Sequence, residues 1–163
     1  MTIDKTRLLQ DLREQVHSDL DALSRRQQDT QQGATHEENR AEHAKDTRAT
    51  EQSYLARGLA LRVEEMRQTA SALDKLDLAS FDRQDPIALT ALVVLQDPEE
   101  AEIETWWLVP GPGGVELFQA DLRIRTLTPA APLGRALMGL HAGDEGSVVT
   151  PGGSRDFEVL EIA

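Results

Sequence analysis

LQDLREQVHSDLDAL, residues 9–23, places Leu9, Leu12, Val16, Leu20 and Leu23 at steps of three, four, four and three. That spacing lines one face of an α-helix, and charged residues and glutamine fill the other faces. The pattern predicts a helix from Thr6 to about Thr30, with Gly33 as its stop signal. The apolar stripe ends at Leu23, so the helix outlasts its own seam.

A second stripe follows. A helix beginning between Asp46 and Glu51 would align Leu55, Leu59, Val63, Met66, Ala70 and Leu73, again at steps of three and four. Two stripes imply one seam, hence a long antiparallel two-helix coiled-coil hairpin. At about 1.5 Å per residue, its arms are on the order of 40 Å. Between the stripes runs HEENRAEHAKDTRA, residues 36–49, which has no large apolar side chain and is longer than most helix connections. It is the hairpin's acidic tip, near residues 35–47.

Near residue 78 the helical texture is lost, and Pro86 discourages helix just before it. The expected division is a hairpin over 1–77 and a second domain over 78–163. Beta-like runs occupy 88–95, 102–109, 114–118 and 122–127, separated by DPEE and PGPGG turn signals. PLGRALMGL, residues 132–140, reads as a short helix, followed by strands at 146–150 and 155–162 around the turn PGGS. The fold class is α+β: the hairpin, then a small antiparallel β domain with one short helix. GPGG, residues 111–114, reads as a hairpin turn, since no GK[ST] or following helix makes it a phosphate loop. Trp106 and Trp107 point to opposite faces of their strand, one into the core and the other partly exposed, where ordinary partial exposure is the first reading and a docking surface the alternative.

Composition narrows the function. Hydrophobic residues make up 39%, with three Phe, two Trp and one Tyr, lean for one compact core and suited to a solvated arm. A net charge of −12 argues against nonspecific binding to nucleic acid or an anionic membrane. Residues 1–77 carry 12 basic and 15 acidic side chains, and residues 78–163 carry 5 and 14, so the second half is the acidic one. Without cysteine there is no disulfide, thiolate metal site or cysteine nucleophile. No signal-like N-terminus and no run of eighteen apolar residues occurs, so a cytoplasmic protein without membrane attachment is expected.

The stretch TPAAPLGRALMGLHAGDEGSVVTPGGSRDFEVLEI, residues 128–162, closely resembles the C-terminal signature of the Gre (GreA/GreB) transcript-cleavage factors of bacterial RNA polymerase. That signature is a Ser-Pro-(Leu/Ile)-Gly-Arg-Ala-Leu-hydrophobic-Gly run, then Gly-Asp, a strand, a Pro-Gly-Gly turn and a final aromatic-Glu strand. Pro132, Leu133, Gly134, Arg135, Ala136, Leu137, Gly139, Gly143, Asp144, Pro151, Gly152, Gly153, Phe157 and Glu158 match it. The resemblance implies an FKBP-like second domain that docks on the rim of the polymerase's secondary channel, with Pro132, Leu133, Gly134 and Arg135 as docking residues. It also implies that the hairpin enters that channel and brings its tip beside the active site.

Under this resemblance the protein is not itself an enzyme but an elongation factor acting through the polymerase active site. Glu38 and Glu37 are the candidate catalytic acids, and Glu37, Glu38, Glu42 and Asp46 the candidate metal ligands. No cofactor is held stably; Mg²⁺ is shared with the polymerase, where carboxylates are natural hard oxygen ligands for a second ion in a two-metal site. Arg25, Arg26, Arg57 and Arg62 are the candidates for holding the RNA 3′ end, and the factor is expected to act as a monomer. Laid through Glu38-Asn39, the family's tip Glu falls on Glu38, but its Asp falls on Thr35. Glu37, Glu42 and Asp46 are the acids that remain to fill that place.

DTRAT, residues 46–50, is faintly similar to the acidic tip of DksA-type factors, which regulate initiation through the same channel without cleavage. That role is the alternative. A peptidyl-prolyl isomerase is a further alternative suggested by fold alone, and it would need an aromatic-lined pocket that few aromatic residues can build. His36 and His43 lack HExxH spacing and any Cys partner, which argues against zinc.

Overall fold

A computed structural model describes residues 3–38, 47–99 and 101–163; side chains at 34–49 and 52 are outside that description. Helix α1 spans Lys5–Glu38 and helix α2 spans Thr47–Asp74. Six strands and a short helix follow: β1 Leu92–Gln96, β2 Ile103–Leu108, β3 Glu116–Gln119, β4 Leu122–Leu127, α3 Pro132–Leu137, β5 Glu145–Thr150 and β6 Gly153–Ile162. By contacts the chain divides into Met1–Leu12 with Ala72–Ala163, and Arg13–Ser71. The first turns of α1 therefore belong to the same compact unit as the sheet.

Asp4 starts α1 by accepting hydrogen bonds on Oδ1 from the N–H groups of Thr6 (3.0 Å) and Arg7 (3.2 Å), two donors that the first helical turn cannot satisfy itself. Leu8, Leu9, Leu12 and Val16 are buried on α1, and Val63, Ala70 and Leu73 on α2. Leu8, which the stripe omitted, is among the most deeply buried. Leu55, which the stripe included, is 62% exposed, because the seam of α1 has already ended at Leu23 and offers no apolar partner.

Gly33 does not stop α1, which continues to Glu38. Glycine costs a helix roughly 1 kcal/mol relative to alanine, which good helix formers on both sides offset. HEENRAEHAKDTRA is correspondingly not all connection: residues 36–38 close α1 and 47–49 open α2.

The sheet order is β3-β4-β2-β1-β6-β5. All neighbours pair antiparallel except β2 and β4, which run parallel with Trp106 opposite Arg125 and Leu108 opposite Leu127. The expectation of a purely antiparallel sheet is corrected at that pair. The same arrangement corrects GPGG: β4 lies between β2 and β3, so residues 111–114 carry the chain past β4 and do not close a hairpin. The β3–β4 turn is made instead by Ala120 and Asp121, with Ala120 at φ 52°.

Strand β1 begins at Leu92, later than the run at 88–95 suggested, because Thr90 adopts φ 75° and turns the chain. One sheet face packs Val93, Leu95, Leu108, Phe157 and Val159 against Leu137 of α3. By strand alternation the other face buries Leu92, Trp107, Ile124 and Leu117. Asp4 and Gln119 tie the start of α1 to β3 through reciprocal hydrogen bonds of 2.7 and 3.3 Å.

Candidate functional site

Part of the first face is left open. There the sheet and the start of α3 enclose a cavity of about 330 Å³. Leu95, Trp106, Leu127 and Phe157 form its floor, Leu133 and Pro132 one wall, and Val149 and Pro151 the lip. Val149 is 79% exposed, so the lip presents apolar surface to solvent.

Charged groups close the other end. Arg155 reaches Glu104 Oε2 at 3.0 Å and Asp97 Oδ2 at 3.3 Å. Arg125 reaches Glu104 Oε1 at 3.4 Å and Glu116 at 3.6 Å, and its guanidinium lies 5.4 Å from the centre of the Trp106 ring. Trp106 Nε1 donates to Glu104 Oε2 at 3.3 Å. Burial alone would lower the Arg155 pKa, but the charge of Glu104 and hydrogen bonds to Asp97 and Glu104 outweigh it and raise the pKa further, so the guanidinium stays charged. The network holds Trp106 as a flat shelf beside an apolar trough.

The two tryptophans divide as the strand requires: Trp107 is fully buried, and Trp106 is partly buried at the groove. The four docking candidates take three different positions. Pro132 and Leu133 line the groove, while Gly134 is buried where a Cβ would run into the backbone of Thr128. Arg135 is exposed and donates to the carbonyl of Ala130. Glu104, Arg125 and Arg155 escaped the sequence reading. Their signal is alternation on one face, Glu104 with Trp106 and Arg155 with Phe157, each two residues apart, and it becomes legible only once strand order is known.

On the hairpin, Arg25 and Arg26 are exposed on α1 and Arg57 and Arg62 on α2. Glu37 and Glu38 fall at the end of α1, with Thr35 one helical turn before Glu38. Glu42 and Asp46 lie outside the described residues. Among the described residues, no three His, Asp or Glu side chains converge on a point that could hold a metal. No helix among them is long and apolar enough to cross a membrane.

The described residues combine a pair of long helices with a six-stranded sheet unit that carries an apolar groove, the element order of a two-part α+β protein. Residues 82–163 match the family described as "Transcription elongation factor, GreA/GreB, C-term". The transcription elongation factor GreA of Halorhodospira halophila is 31% identical over 121 residues, covering 74% of this chain and 71% of that protein. GreA of Syntrophobacter fumaroxidans is 43% identical over 70 residues, 43% of this chain and 41% of that protein's length. A crystal structure of GreA factor homolog 1 from Thermus thermophilus aligns with 93% of this chain and 94% of its own, at 21% identity and a TM-score of 0.39. The chain belongs to the GreA/GreB family of transcription elongation factors.

Proposed function

We propose that the protein binds bacterial RNA polymerase through its sheet domain and inserts the helical hairpin into the secondary channel, where tip carboxylates approach the catalytic Mg²⁺ and modulate transcript cleavage and elongation. The observation that carries this reading is the hairpin itself. Helices of 34 and 28 residues reach about 50 and 40 Å, and acids crowd the tip of a chain that belongs to this family.

Docking falls to the groove, where an apolar partner side chain can settle on Trp106 and Leu127 beside Pro132 and Leu133. A metal bound at the polymerase site would supply water activation and charge stabilisation. This chain's contribution is one or more carboxylates, Glu38 first, then Glu37, Glu42 or Asp46. Arg25, Arg26, Arg57 and Arg62 offer charge-assisted hydrogen bonds to the RNA 3′ end. The factor acts as a monomer in the cytoplasm.

A second reading rests on Thr35. It occupies the place of the family's tip Asp and cannot supply a carboxylate, which favours a regulator that occupies the channel without stimulating cleavage. One experiment separates the two. RNA polymerase is halted in a backtracked complex, the protein and Mg²⁺ are added, and the RNA is examined for shortening and re-extension. Cleavage with wild type but not with Glu38→Ala supports the first reading. Competition with another channel-binding factor without cleavage supports the second, and no binding to polymerase rules out both.

A further inference from the structure

The face of the sheet opposite the groove is covered only in part. Leu92, Trp107, Ile124 and Leu117 are buried there, but farther along the same strands the cover stops. Val94 and Leu122 are half-buried and Ile103 is 61% exposed. Register keeps them on one face, because Val94 pairs with Thr105, Thr105 with Ile124, and Gln119 with Leu122. A cavity of about 630 Å³ opens over them, within the size range of binding pockets. Its end is fixed, since Ile3 lines it and the next residue, Asp4, is bonded to Gln119 at 2.7 Å.

Charge tells what could fill this pocket. Asp121 and Glu161 stand exposed at its rim, and among the described residues no lysine or arginine lines it. An apolar floor favours an apolar group, because burying that group removes apolar surface from water, while the carboxylates at the rim favour a positive flank. Nucleic acid and anionic lipid carry the wrong sign. A second copy of this chain, at a net charge of −12, would add repulsion.

We infer that this pocket docks a segment of a protein partner in which an apolar side chain is flanked by lysine or arginine. It is a second interaction surface, on the opposite side of the sheet from the groove, and it does not depend on the polymerase reading.

The test titrates the full chain against three labelled synthetic peptides of equal length and follows fluorescence anisotropy. One alternates leucine with lysine, one leucine with glutamate, and one serine with lysine. Binding is expected for the leucine–lysine peptide alone. Ile103→Glu, at an exposed position that leaves folding intact, is expected to weaken it about tenfold even though it makes the protein more acidic. Asp121→Lys with Glu161→Lys is expected to do the same, and Leu61→Glu, at an exposed apolar position on α2 that lines neither cavity, to leave peptide binding unchanged. Equal binding of the serine–lysine peptide, or undiminished binding by Ile103→Glu, would reduce the effect to bulk charge and overturn the proposal. So would a dimer in sedimentation that Ile103→Glu dissolves, because it would assign the pocket to a second copy.

Discussion

Gly134 matches the family signature, and its surroundings give a physical reason for the residue type. A Cβ there would fall on the carbonyl oxygen of Thr128 and come within 3.1 Å of Pro129 Cα, so backbone would have to move. Gly134→Ala is expected to cost about 1–3 kcal/mol, measured as a lower urea midpoint. Gly146→Ala is expected to cost less, because its Cβ would meet the Phe157 ring, 2.5 Å away, and a side chain yields more readily than backbone. If Gly134→Ala left stability unchanged while weakening polymerase binding, the glycine would serve docking and not packing.

Lys5 shows how one residue holds the first turn of α1 within the sheet's unit. Its Nζ donates to the carbonyl of Ala79 at 2.6 Å and of Thr90 at 3.5 Å and lies 4.9 Å from the centre of the Phe81 ring. Thr90 is itself strained at φ 75° and held by its own bonds: Oγ1 accepts from Ala79 N–H and its carbonyl from Trp107 Nε1. Burial lowers the Lys5 pKa, so the folded chain releases this proton before the unfolded chain, which titrates near 10.5. Between those two values the unfolded state holds more protons, and stability rises with pH. Lys5→Met is expected to remove this rise, read as the difference in urea midpoint between the two proteins from neutral pH toward 10.5.

At the scale of elements, the two helices differ in what sustains them. Near the base, burial of Val16 and Val63 supports the seam. Beyond Leu23, α1 must rest more on intrinsic helix preference, since Arg25, Arg26, Gln27, Gln28, Gln31 and Gln32 stand there and no large apolar side chain does. Gly33 lies in that stretch with nothing within 4 Å of where a Cβ would stand. Gly33→Ala is therefore expected to gain about 0.5–1 kcal/mol of helix stability, seen as increased far-UV circular dichroism and a higher midpoint. A loss would restore the glycine as a helix stop. Val63→Ala, at 2% exposure, is expected to cost about 1–3 kcal/mol, and Leu55→Ala, at 62% exposure, no more than about 0.5 kcal/mol.

For the whole molecule, docking and chemistry are proposed for separate parts, so they should fail separately. Thr35→Asp restores a carboxylate one helical turn before Glu38. It is expected to increase cleavage of a backtracked transcript over wild type without changing affinity for polymerase. Val149→Glu, at the lip of the groove, is expected to lower affinity and leave cleavage at saturating protein unchanged. If Thr35→Asp changed neither yield nor rate, the acid reading of this register would fall.

The sequence by itself determined a helical hairpin, six strands and a short helix, because side-chain periodicities of 3.6 and 2 record which face each segment buries. It also disclosed family membership through the run from Pro132 to Glu158. Tertiary structure decided what periodicity cannot encode. The parallel pairing of β2 with β4 depends on a path around the sheet edge, so GPGG could be mistaken for a hairpin turn. The network of Arg155, Glu104 and Arg125 joins residues from three strands, and no local spacing announces it. Trp106 and Trp107 show the division plainly: alternation sent them to opposite faces, but only strand order placed one in the core and made the other the shelf of a groove.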